Sequence, residues 1–245
     1  MRTGNPTLKA NTFTVGRAAA GSESMTIQGT VNKTFLLLLL LVGAAYTTWG
    51  LAFQGGPAFI GLMGVGLVGG LIVGIMTAVK REWAPVTAPI YAGLEGLFLG
   101  GISALANMAY PGIVPQAVGL TFGVLFCLLL AYKSGVIRAT ENFKLGVAAA
   151  TGGIFMVYMV SMLMRLFGLS VPFLHGSGPI GIGISLFIVA IAALNLVLDF
   201  DFIEQGAANR APRHMEWYAA FGLMVTLVWL YLEILNLLMK LRSND

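Results

Sequence analysis

A chain of 245 residues that is 58% hydrophobic and only 10% charged, with a mean hydropathy of +0.87, lies outside the composition of soluble domains and reads as an integral membrane protein. Its single cysteine, Cys127, excludes an intramolecular disulfide, and its two histidines, His175 and His214, have no neighbouring thiols or carboxylates at zinc-site spacing. The net charge of +4 comes from lysines and arginines beside apolar runs, not from basic residues interleaved with aromatics, which excludes nucleic acid as a partner.

Residues 1–32 are rich in Gly, Ala, Ser, Thr and Asn, with Arg2, Lys9, Arg17 and Glu23 scattered among them. They predict a mobile cytoplasmic tail rather than a signal peptide, because the apolar run begins only after Lys33 and is too long for one. Met25 is a candidate alternative start. Residues 33–245 then form a single helical membrane domain with seven apolar runs of spanning length: Thr34 to Phe53, Ala58 to Val79, Val86 to Tyr110, Ile113 to Tyr132, Leu145 to Phe167, Ile180 to Leu198 and Trp217 to Met239. The fold class is therefore an all-α integral membrane protein with seven transmembrane helices in contact with the lipid bilayer.

Lysines and arginines alternate by loop. Four precede the first run (Arg2, Lys9, Arg17, Lys33), two follow the second (Lys80, Arg81), three the fourth (Lys133, Arg138, Lys144) and two the sixth (Arg210, Arg213). The intervening loops, Gln54 to Pro57, Pro111 to Gly112 and Gly168 to Pro179, have none. The positive-inside rule then places the N-terminus in the cytoplasm and the C-terminus outside a cell membrane, with Lys240 and Arg242 as outliers.

Gly66, Gly70 and Gly74 give the second span a bare face, read as close packing, with a mobile gate as the sharper alternative. Glu95 lies nine residues past Val86 in the third span, roughly 13 Å into the bilayer by helical rise. Cys127 in the fourth span is expected to be a buried small apolar side chain. Arg165 snorkels to the outer interface, and the loop from Leu169 to Pro179 is a connector that shapes an outer vestibule. In the sixth run Asp199 is followed by apolar Phe200, Phe202 and Ile203, so the helix is expected to continue past it until Gly206 stops it; Asp201 and Glu204 read as solvated acids on one face. Glu233 stands inside the last run, where a charge is costly unless protonated, partnered or turned to the bundle interior.

Leu196-Val-Leu-Asp-Phe-Asp-Phe-Ile-Glu204 together with Trp229-Leu-Tyr-Leu-Glu-Ile-Leu-Asn-Leu237, in a seven-span chain with a polar N-terminus, resembles the Bax inhibitor family in its bacterial branch. The resemblance implies six helices around a central seventh, and a proton-sensitive carboxylate pair associated with passive calcium leak. Carried over by motif, the pair is Asp199 and Glu233, with Glu in place of the commoner Asp at the second position. Outside the pair, Asp201 is a supporting acid, and Glu95 is expected either to support the pair by polarising or hydrating the interior beside it or to be a protonated acid bonded to a backbone carbonyl. Contact within the pair requires the first turns of the seventh helix to project into the cytoplasm or lie along the interface. Such a pair would share a proton, lock the two helices when singly protonated and loosen them when ionised.

The leading function is thus a pH-sensitive channel or leak for cations, Ca2+ first among them because it prefers oxygen ligands. One alternative is a regulatory protein that binds a membrane protease or other membrane partner through its tail. Another is a proton-coupled transporter, which would be expected to show inverted repeats. No cofactor is expected, and no nucleophile and base stand together at spanning depth as an enzyme would require.

Overall fold

The computed structural model describes residues 24–55, 57–167 and 176–243. The tail up to residue 23 and residues 168–175, which hold His175 and most of the loop expected to shape a vestibule, lie outside the described residues. Among the described residues seven helices are long and apolar enough to cross a membrane. They are α1 (Ile27–Phe53), α2 (Ala58–Val79), α3 (Ala84–Ala109), α4 (Ile113–Lys133), α5 (Glu141–Leu166), α6 (Pro179–Ala208) and α7 (His214–Arg242), with a 3-10 turn, Arg81–Trp83, before α3. The protein is an all-α, multi-pass membrane protein.

The helices begin and end for local reasons. Thr26 caps α1 by accepting from the Gly29 N–H at 2.9 Å, and Thr140 caps α5 by accepting from the Phe143 N–H at 3.3 Å. At the end of α6 the N–H of Ala211 donates to the Gly206 carbonyl and that of Arg210 to the Ala207 carbonyl, with Arg210 in the left-handed region at φ 49°. This is the paired closure of a Schellman motif. The expectation that Gly206 stops the helix is corrected: α6 runs through it, and Arg210 supplies the left-handed residue.

The chain folds as two compact units. One comprises Gly112–Phe200 and Thr226–Asp245, the other residues 24–111 with Asp201–Val225, so α6 and α7 contribute to both. In the second unit α3 packs against α1 and α2. The glycine face of α2 is a packing face: a Cβ on Gly66 would collide with the α3 backbone at Leu94 and Phe98, and one on Gly70 would come within 3.0 Å of Glu95 Oε2. The expected tail boundary moves as well. Met25 is 2% exposed, its N–H donates to the Ala211 carbonyl at 2.7 Å, and Ser24 forms an antiparallel bridge with Pro212. Residues 24–32 therefore belong to the folded unit. Their polarity is accommodated because Thr30 and Thr34 return their hydroxyls to the carbonyls one turn earlier, at 3.0 Å each.

In the first unit Ile154 of α5 and Ile188 and Ile191 of α6 form an apolar cluster, with Tyr158 and Trp229 packed at its edge. Within this unit α7 buries Leu227, Val228, Leu230, Tyr231, Ile234 and Leu235. These positions cover more than one face, the pattern of an interior helix. Cys127 is exposed on α4, contrary to the expected burial. A side chain exposed on a spanning helix faces lipid, so a small thiol there needs no protein cavity.

Candidate functional site

Glu233 is 6% exposed in the middle of an apolar helix, and its surroundings account for one of its two oxygens. Oε1 accepts from the Tyr158 hydroxyl of α5 at 2.7 Å and from the Trp229 indole N–H, one turn earlier on α7, at 3.1 Å. Oε2 is covered and has no hydrogen-bond partner. Asp199 shows the same asymmetry. It hydrogen-bonds to Thr226 of α7, while its Oδ2 is covered and unpartnered. Buried polar atoms are ordinarily satisfied, so two orphaned carboxylate oxygens in one unit call for a proton, a water or a cation.

The spacing that positions these groups is seven residues on both helices. Thr226, Glu233 and Lys240 follow one another at that interval along α7, as do Ser185, Ala192 and Asp199 along α6. Seven residues are close to two helical turns, so each set forms one stripe. Two contacts fix how the antiparallel stripes align: Asp199 with Thr226, and Lys240 Nζ with Ser185 Oγ at 2.8 Å. The same register puts Ala192, fully buried, level with Glu233. A small residue there leaves the carboxylate to Tyr158 and Trp229. Asn195 ties α6 to α5 by donating to Thr151 Oγ1 at 2.8 Å, and it also donates to the Ile191 carbonyl.

The structure does not join Asp199 and Glu233 as a shared-proton pair. In this register they stand one rung apart, about 10 Å along the helix axes. Each carboxylate has its own donors: Thr226 for Asp199, Tyr158 and Trp229 for Glu233. Bringing them level would require α7 to slide by a whole seven-residue repeat and would break both the Asp199–Thr226 and the Lys240–Ser185 contacts.

The two supporting acids belong to the other unit. Glu95 accepts from Tyr91, one turn earlier on α3. Asp201 is half-buried and accepts from Gln205 Nε2 at 2.5 Å. Sequence reasoning missed a further carboxylate in that unit. Glu216, 3% exposed, forms an ion pair with Lys33 and accepts from both the N–H and the hydroxyl of Thr26, at 2.8 Å each, which fastens the start of α7 to the start of α1. A Cβ on Gly29 would collide with this carboxyl group, so the close approach requires glycine.

Tyr158, Thr226, Trp229 and Lys240 were also missed as site residues. For Thr226 and Lys240 the signal was the seven-residue interval they share with Glu233; Trp229 stands one turn before Glu233 on the same helix, and nothing in the sequence marked Tyr158 on α5. Comparison with curated proteins and with solved structures finds no match. The family model described as "Bax inhibitor 1 like" matches residues 5–243, nearly the whole chain, and the protein belongs to that family.

Proposed function

We propose that this membrane protein is a passive, pH-sensitive leak for cations, Ca2+ foremost, with Asp199 and Glu233 as two successive carboxylate stations, and that it is not an enzyme. The observation that carries the reading is the pair of covered, unpartnered oxygens, Asp199 Oδ2 and Glu233 Oε2, about two helical turns apart along the paired stripes. Ca2+ takes carboxylate, carbonyl and water oxygens as ligands. Among the described residues no three His, Cys, Asp or Glu side chains gather around one point, so a passing cation would meet the carboxylates singly. A proton competes with a cation for the same oxygen, and flux is therefore expected to fall as pH falls. In a cell membrane, the alternation of lysines and arginines between loops supports a cytoplasmic N-terminus and an outside C-terminus.

A second reading, a regulatory protein that binds a membrane partner through its tail, draws on one observation: the root of the tail, at Ser24 and Met25, is tied to Pro212 and Ala211 in the α6–α7 turn. Ca2+ entry into liposomes carrying the purified protein, followed across an acid-to-neutral pH series, separates the two. A leak gives entry above protein-free liposomes that rises with pH and survives removal of residues 1–23. Entry no faster than in protein-free liposomes at every pH would sink the leak.

A further inference from the structure

Two stations leave one buried charge of the same unit unused. Lys133, Arg165 and Arg242 are exposed, as basic residues near helix ends usually are, whereas Lys240 is 6% exposed. Its ammonium donates to Ser185 Oγ at 2.8 Å and to the Gly181 carbonyl at 3.3 Å, and Ser185 is itself 1% exposed. A lysine this close to a helix end would ordinarily snorkel outward, because burying an ammonium is costly. Here it turns inward onto the stripe that carries Glu233, one rung further along.

The order along the paired stripes is then Asp199 with Thr226, Glu233 beside Ala192, and Lys240 with Ser185. A cation passing along it would meet two carboxylates and then a fixed positive charge about 10 Å beyond the second. We infer that Lys240 is the charge-selecting residue of this path, a tethered cation that holds cation passage to a slow leak. The inference rests on the cation-leak reading of the same stripe. A unit charge at that distance, with an effective dielectric constant near 20, alters the occupancy of a monovalent cation at Glu233 by about fifteenfold and that of divalent Ca2+ by about two-hundredfold. Ser185 and the Gly181 carbonyl are positioning groups in this scheme, since they hold the ammonium inward.

The test measures Ca2+ and chloride entry separately in liposomes carrying the full chain, for the unmodified protein and for Lys240→Gln, Lys240→Arg and Ser185→Asp. Lys240→Gln should raise Ca2+ entry by up to about two-hundredfold with chloride entry unchanged, and Lys240→Arg should keep it near the unmodified rate. Ser185→Asp sets a carboxylate against the ammonium and should raise Ca2+ entry in the same sense, so it carries the test if Lys240→Gln fails to fold. Ca2+ entry unchanged in a folded neutral variant overturns the inference, as does an equal rise in chloride entry, which marks loosened packing. Absence of Ca2+ entry in the unmodified protein is a different failure, that of the leak itself.

Discussion

Tyr158→Phe removes one oxygen and little else, which makes it the sharpest perturbation of the Glu233 station. The ring packs at the edge of the Ile154, Ile188 and Ile191 cluster, and phenylalanine keeps that contact. What disappears is the 2.7 Å hydroxyl donor to Oε1, leaving only the Trp229 indole at 3.1 Å. A hydrogen bond to a charged group contributes about 1.5–3 kcal/mol, and about 1.4 kcal/mol is a factor of ten. If the ionised carboxylate is the form that receives a cation, Tyr158→Phe lowers Ca2+ entry by about tenfold or more at fixed pH and fixed Ca2+. Thermal unfolding should stay within a few degrees of the unmodified protein, since the apolar contacts persist. The assay is Ca2+ entry into liposomes paired with a melting curve in detergent. Entry within twofold of the unmodified rate, in a variant that is folded, would refute the assignment of Glu233 as a station.

Two further outcomes follow from the packing. Glu216→Ala strands the Lys33 ammonium and the two Thr26 donors at a site where the carboxylate is 3% exposed; breaking a buried pair costs about 3–5 kcal/mol, so the melting temperature should drop by roughly 6–20 °C, and a drop of under two degrees would show that the clamp contributes little. Register is testable by disulfide trapping after the lipid-facing Cys127 is replaced by Ala: cysteines at Ala192 and Glu233 should cross-link readily, whereas cysteines at Asp199 and Glu233 should not, because a disulfide requires Cα atoms within about 7 Å. The reverse pattern, read on a gel, would restore the paired-carboxylate register.

The spans were legible because about twenty apolar residues have few other uses, and α2 has the bounds its apolar run predicts. Helix ends were less so. The start of α1 is hidden by Thr26, Thr30 and Thr34, polar residues that enter a helix by capping it or by bonding back to its carbonyls. The end of α6 depends on Arg210 taking a left-handed conformation that composition assigns to glycine. Asp199 and Glu233 stood out because each is a charge in an apolar setting, but their relative height did not. Sliding one helix by seven residues returns the same faces to contact, so periodicity alone allows the acids to be level or one rung apart. The contact that decides, Lys240 with Ser185, involves a lysine that the topology count treats as an interfacial outlier and a serine with no distinguishing neighbours.

The claim that Asp199 and Glu233 act as separate stations is tested most directly by Ca2+ entry through Asp199→Asn, Glu233→Gln and the double variant, measured at one pH in equal amounts of folded protein. Separate stations share no hydrogen-bond partner, and two unit charges about 10 Å apart at an effective dielectric constant near 20 couple by about fifteenfold, so each single change should slow entry and the double change should slow it further than either, short of the product of the two factors by no more than about fifteenfold. If the double variant is no slower than the slower single variant, the two carboxylates work as one unit, and the two-station account is wrong.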